Sequence, residues 1–385
     1  MHDEYLRFTI EGSDTLERSL WALCDAVKAA VHRFIPKRKL EALVLGGGYG
    51  RGEGGVLRTE HGEQAYNDIE FYIFVRGSRL WNQRKYRASL CALAGDLSAG
   101  SSLHVEFKLD SLQRFRSMPI SMFTYDLVSA HRLLIGERAV FQGCEHHLRS
   151  EDIPLSEATR LLYNRCGGLL LVRELLSRTV LSNDQSDFIG RNLAKASLAL
   201  GDALLVAAGK YHWSARVRGE RMRAFEATGD VPDLVALKEH HRAGLDFKFH
   251  PRRILKQPGD FAPEHREISS LAQRLWLWIE GRRLGRSFSN INEYALSEIN
   301  KCPETLAGKN YLLTLRTFGP AAAMDPLGGR YPRERLFNSL PLLLWNGEVS
   351  REPEIRRHLQ RQLRSDATDW AGLVAAYKEI WPPYG

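Results

Sequence analysis

Gly46-Gly47-Gly48-Tyr49-Gly50-Arg51-Gly52-Glu53-Gly54-Gly55 follows directly on the apolar run Leu43-Val44-Leu45. Downstream comes Asn67-Asp68-Ile69-Glu70-Phe71-Tyr72-Ile73-Phe74-Val75, and later Leu103-His104-Val105-Glu106-Phe107-Lys108-Leu109. All three apolar stretches read as strands, and the glycines between the first two read as a tight turn. Alternate residues of a strand share a face, so Asp68 and Glu70 point one way while Ile69, Phe71, Ile73 and Val75 point the other. Two carboxylates about 4 Å apart repel by roughly 4 kcal/mol at an effective dielectric near 20. A divalent cation relieves that repulsion, and Mg²⁺ favours carboxylate oxygens combined with substrate phosphates. On the third run Glu106 shares its face with His104 and Lys108, and Asp110 follows on the same face as the reserve acid. A site formed by Asp68, Glu70 and Glu106 on adjacent strands is the expected metal site. Gly47 and Gly48, bare at a strand exit, let main-chain N–H groups approach phosphate oxygens, and Arg51 supplies a bidentate donor for a triphosphate.

The surrounding elements give the domain its outline. Asp14 to Phe34 carries an apolar stripe at Leu16, Leu20, Leu23, Val27, Val31 and Phe34, which predicts a helix, with Asp14 and Glu17 resembling a capping box. Arg58 to Tyr66 is polar and reads as a loop. Trp81 to Leu97 reads as a helix between the second and third strands. From Pro154 onward the texture changes to long helical periodicity, over Ser156–Leu176, Phe188–Ala208, Leu271–Leu284 and Trp370–Ile380. Prolines 232, 251, 258 and 263 suggest a broken connection over 230–263. Gly319, Pro320, Pro326, Gly328 and Gly329 mark a second turn-rich stretch. The fold class expected is α+β, a small mixed sheet with flanking helices over 1–150, followed by helical parts over 151–245 and 246–385.

Composition excludes several classes. The chain has 385 residues, 44% hydrophobic and 26% charged, an ordinary globular balance. No run of apolar residues is long enough to span a bilayer, so no membrane partner is expected. The opening Met1-His2-Asp3-Glu4-Tyr5-Leu6-Arg7 lacks a basic-then-apolar leader pattern, and five scattered cysteines suggest no disulfide framework, so a cytoplasmic setting is expected. The net charge of +8 gathers late, at Arg216, Arg218, Arg221 and Arg223, at Arg252 and Arg253, at Arg282, Arg283 and Arg286, and at Arg356, Arg357, Arg361 and Arg364. Such clusters serve either as RNA-binding patches or as solvated helix faces. Trp276 and Trp278 serve either for stacking on a base or as core. The run Gly50-Arg51-Gly52-Glu53-Gly54-Gly55 formally matches a dinucleotide fingerprint, but no helix opens there and the acids lie at the wrong end of the next strand. A P-loop lysine is absent.

In this order, Gly47-Gly48, Arg51-Gly52-Glu53, Asp68-Ile69-Glu70 and Val105-Glu106-Phe107 resemble the motifs of the polymerase-beta-like nucleotidyltransferase superfamily. The resemblance covers roughly 15–150. It implies a small mixed sheet flanked by helices, Mg²⁺ at the acids, and a nucleoside triphosphate, ATP foremost, as donor. The acceptor implied is a hydroxyl of a small molecule or a protein. The helical run from Asn192 to Tyr211 resembles the helical domain of small-molecule and antitoxin-type members. Asn192, Lys195 and Asp202 share its polar stripe, and Lys195 is either a phosphate ligand or a solvated lysine. Gly48 where serine is commoner, Glu70 where aspartate is commoner, and a longer glycine-to-aspartate gap are departures from the family pattern. They leave a catalytically degenerate nucleotide- or RNA-binding module as the alternative function.

Overall fold

Ser13 opens the first helix, α1 (Asp14–Phe34): its Oγ accepts the Leu16 N–H at 3.3 Å. The cap is therefore one residue earlier than the Asp14/Glu17 pair suggested. Glu17 turns inward instead and accepts the N–H groups of Phe8 and Thr9, at 2.7 and 3.0 Å, and the Thr9 hydroxyl at 2.6 Å. A computed structural model describes residues 7–99, 103–226, 229–325, 327–347 and 351–382. The opening residues through Leu6, and Pro326 of the turn-rich stretch, lie outside the described residues.

The chain then runs through β1 (Leu40–Leu45), the short turn α2 (Gly47–Gly50), β2 (Val56–Thr59), β3 (Gly62–Ala65), β4 (Asp68–Val75), α3 (Arg79–Ala99) and β5 (His104–Asp110). It continues with α4 (Leu112–Arg116), α5 (Met122–Ser129) and β6 (Arg132–Ile135). The main sheet has the order β5-β4-β1-β6. β1 is antiparallel to β4 and to β6, and β4 is parallel to β5. Parallel neighbours need a crossover, which α3 provides. One face of the sheet buries Leu43, Leu45, Ile69, Phe71, Ile73 and Val75 with Leu20, Val27 and Val31 of α1 and Tyr86 and Leu90 of α3. The other face buries Val44, Tyr72 and Phe74 with Leu112 and Phe115 of α4 and Leu127 of α5. The mixed sheet followed by helices is the α+β class expected.

Two local expectations are corrected. The segment 58–66 is no loop. β2 and β3 form a hairpin paired from Val56 with Ala65 to Thr59 with Gly62, and its polar residues reflect exposure rather than irregularity. The prolines of 230–263 do not break the chain but bracket α9 (Leu234–Phe249) and start α10 (Pro258–Leu284) at its N1 position. There a missing N–H costs nothing, because the first turn leaves it unpaired anyway.

Remaining helices are α6 (Leu155–Leu176), α7 (Asn183–Ala207), α8 (Ala215–Arg223), α11 (Ile291–Leu296), α12 (Ala307–Phe318), α13 (Pro320–Ala323), α14 (Pro332–Trp345), α15 (Pro353–Leu363) and α16 (Trp370–Ile380). The chain forms two compact units. The first takes the chain up to Glu157 together with Ala208–Phe225 and Leu245–Arg252, and the second takes the rest. No helix among the described residues is long and apolar enough to cross a membrane.

In the second unit Trp276 is core, packed edge-on against Tyr294, Phe337 and Trp345. Beside it Glu280, fully buried, accepts from Thr159 Oγ1 at 2.5 Å, Arg283 Nε and Nη2 at 2.7 Å each, and the Tyr294 hydroxyl at 2.8 Å. Four donors around one carboxylate offset the cost of burying its charge. Replacing Glu280 by Ala leaves Arg283 buried without its main counter-charge. A loss of about 3 kcal/mol is expected, read as a lower urea midpoint in equilibrium denaturation.

Candidate active site

β4 and β5 bring two of the three expected acids together. Their parallel register sets Asp68 opposite His104, Glu70 opposite Glu106, Tyr72 opposite Lys108 and Phe74 opposite Asp110. Opposed residues on parallel strands share a face, so the Glu70 and Glu106 carboxylates stand side by side. Lys108 answers their repulsion: its Nζ lies 2.6 Å from Glu70 Oε1 and 3.3 Å from Glu106 Oε2. Partial burial opposes the ammonium charge, but the neighbouring Tyr72, Glu70 and Glu106 outweigh it and raise the Lys108 pKa above the ordinary lysine value. Burial first, and then Glu70, pushes the Tyr72 phenol up as well. Asp68 is exposed at the head of β4, on the Glu70 side by strand alternation. Asp110 is held by the Arg114 guanidinium, and its backbone register lies opposite Phe74 rather than an acid.

The glycine turn abuts this pair. Gly47 has φ +62°, and a Cβ there would fall 2.9 Å from Glu70 Oε2. Gly50 is equally constrained, since its Cβ would meet the Leu45 carbonyl oxygen at 2.2 Å. The first N–H groups of the α2 turn, on Gly47, Gly48 and Tyr49, have no carbonyl one turn earlier within it. Lys248, at the end of α9, reaches this turn: its Nζ donates to the Glu53 carbonyl at 3.4 Å and lies 3.6 Å from the Cβ position of Gly48.

Arg51 and Glu53 have partners of their own. Arg51 Nη1 lies 3.3 Å from Asp126 Oδ2, which also accepts the Tyr211 hydroxyl at 3.2 Å. Glu53, 6% exposed, caps α8, accepting Ser214 Oγ at 2.6 Å and the Ala215 N–H at 2.9 Å. Burial opposes its charge, but these bonds, with Lys248 and Arg51 nearby, hold its carboxyl below the usual carboxylate range.

Lys195 lies on α7 in the second unit and is half-buried. On the same helix Asp202 is buried against His241 Nε2 at 3.1 Å. Several of the late arginines are likewise committed internally. Arg218 donates to the carbonyls of His212 and Trp213, Arg221 to those of Lys210 and Tyr211, and Arg283 to Glu280.

No family model, curated protein or solved structure matches the chain.

The donor set suits a hard divalent cation in kind: two adjacent glutamates and an aspartate on the same strand face, next to a glycine turn. As arranged, the Lys108 ammonium stands between the two glutamates, and no group of three metal-binding side chains is assembled among the described residues. Sequence reasoning placed Lys108 on the acidic face without assigning it a part. It missed Lys248 because that residue lies 195 positions from Glu53 with no local signature.

The capped Glu53 generates a pH prediction. Its folded pKa lies below the unfolded one, so its stabilisation is present above the unfolded value and is lost as pH falls through the folded value. Glu53→Gln is expected to cost about 2 kcal/mol at neutral pH and to flatten the fall of melting temperature on acidification below about pH 4.5. Thermal denaturation of both proteins across that range checks it.

Proposed function

We propose that the chain is an Mg²⁺-dependent nucleotidyltransferase that moves a nucleoside monophosphate from a triphosphate, ATP foremost, to an acceptor hydroxyl and releases pyrophosphate. The observation that carries this reading is the placing of Glu70 beside Glu106 on parallel strands, against a turn whose glycines carry no side chains of their own. Asp68, Glu70 and Glu106 are the residues that would hold magnesium. When bound, the ion neutralises the triphosphate and steadies the leaving pyrophosphate.

The chain's own groups divide the remaining work. Main-chain N–H groups of Gly47 and Gly48 receive phosphate oxygens, and Lys248 adds a positive charge on the same side of the turn. Arg51, tied to Asp126, positions the turn rather than gripping phosphate, and no role is assigned to Lys195. The acceptor oxygen forms a bond to the α-phosphorus while the bond from that phosphorus to the bridging oxygen breaks. Glu106, on the edge strand, takes the acceptor proton. An enzyme of this kind fits the resemblance of Gly47-Gly48, Asp68-Ile69-Glu70 and Glu106 to the polymerase-beta-like superfamily.

One observation favours a second reading. Lys108 already neutralises the glutamate pair, as expected of a degenerate nucleotide- or RNA-binding module. The two readings separate in one experiment: purified chain, each nucleoside triphosphate, Mg²⁺ and cell extract as acceptor source, with pyrophosphate release measured. Under the transferase reading, Asp68→Asn, Glu70→Gln and Glu106→Gln each lower Mg²⁺-dependent release roughly a hundredfold or more while the melting temperature stays near that of the parent. No release with any triphosphate, together with steeply salt-dependent RNA binding, would establish the binding module instead.

A further inference from the structure

A cavity of about 770 Å³ lies in the first unit beside the glutamate pair. Every residue of β5, from His104 to Asp110, lines it. Successive side chains of a strand point to opposite faces, so a void touched by all of them does not sit over one face. It follows the outer edge of β5, the terminal strand of the sheet. A strand of that length spans roughly 23 Å. The facing wall is α3, which presents Arg79, Gln83, Arg87 and Cys91 at four-residue intervals along one stripe. The outline is that of a groove, long in the strand direction.

The edge itself carries main-chain hydrogen-bonding groups. The His104 N–H bonds to the Asn67 carbonyl at 3.2 Å, on the β4 side. In a parallel pair the alternate residues then turn their main-chain groups outward, here Val105, Phe107 and Leu109. Val105 has its N–H bonded to Ser98 Oγ at 2.9 Å, which closes the groove at that end and leaves Phe107 and Leu109 as the outward-facing pair of its middle. Phe115, Met118 and Phe123 supply an apolar floor. Arg79, Arg87 and Arg114 line the groove with Asp110 as their carboxylate, while Lys108 is met by Glu70 and Glu106, so the positive charge stands on the arginine wall.

We propose that this groove binds an extended, acidic polypeptide segment that adds a strand to the edge of β5. Strand addition uses main-chain bonds for affinity and flanking pockets for side-chain choice. The cationic wall selects a negative segment, and the net charge of +8 disfavours a second copy of this chain as the occupant. That the bound segment is the acceptor, with a hydroxyl side chain delivered to Glu106, rests on the transferase reading. The docking does not.

The test uses the full chain without nucleotide or metal. Fluorescence anisotropy follows a labelled peptide of alternating threonine and glutamate, its threonine–lysine counterpart, and two glutamate peptides N-methylated at one or the other set of alternate residues. The glutamate peptide is expected to bind at least about tenfold more tightly than the lysine peptide, a difference of about 1.4 kcal/mol, and Arg87→Glu is expected to remove that preference. Only one of the two methylation patterns abolishes binding, because a strand pairs through one set of alternate amides. No binding of the glutamate peptide, equal affinity for both charges, an unaffected Arg87→Glu protein, or equal behaviour of the two methylated peptides overturns the proposal. Self-association of the chain that the peptide does not compete overturns it in favour of a second copy. Adding Mg²⁺ and triphosphate afterwards tests the acceptor role separately: binding without pyrophosphate release leaves the docking intact and removes the acceptor role, while the transferase reading stands or falls on the cell-extract experiment.

Discussion

The parallel register of β4 and β5 is the constraint on which the candidate site depends. Neighbouring strands lie about 4.8 Å apart, and at that spacing two carboxylates on one face repel by roughly 3 kcal/mol at an effective dielectric near 20. A one-residue slip would carry Glu106 to the other face, into the apolar layer where Ile69, Phe71 and Val105 pack. The buried faces of both strands therefore hold the register, and the register holds the glutamates together. Lys108, two residues beyond Glu106 and on its face, closes the arrangement at 2.6 and 3.3 Å.

Around this pair the first unit is assembled from distant pieces. Ser214 and Ala215 bind Glu53, Tyr211 shares Asp126 with Arg51, and Lys248 meets the glycine turn. Each contact fastens one end of the Gly46–Gly55 segment. Gly47, beside Glu70, is kept at a positive φ that other residues do not adopt easily, and Gly50 lies too close to the Leu45 carbonyl to carry a side chain. A bare turn is thus held rigidly beside a charged pair, which is what close approach to a phosphate asks for. Rigidity comes from neighbours because the turn has few side chains with which to pack itself.

Much of the architecture was legible. α1, β4 and α16 occupy the predicted spans: α1 carries an apolar stripe at helical spacing, and β4 is an apolar run with two acids at its head. The β2–β3 hairpin was not legible: from Arg58 to Gln64 its residues are polar and exposed or half-exposed, and only its ends, Val56, Leu57 and Ala65, are buried, next to Gly55 and Tyr66, which bond the Tyr49 hydroxyl. α9 was hidden by flanking prolines that mark its ends rather than its interior. For the site, the adjacency of Asp68 and Glu70 followed from strand alternation alone, whereas the meeting of Glu70 with Glu106 required the pairing of two strands separated by a helix.

By itself the sequence determined which residues share a strand face, where the bare turn lies and that helices fill the second half, since these depend on local period and composition. Tertiary structure alone decided that Lys108 bridges the two glutamates, that Arg51 belongs to Asp126, that Glu53 caps a helix far along the chain and that Lys248 stands at the turn. The physical reason is range. Period and turn chemistry act over a few residues, while charge pairing acts through space between segments whose nearness is set only once the core has packed.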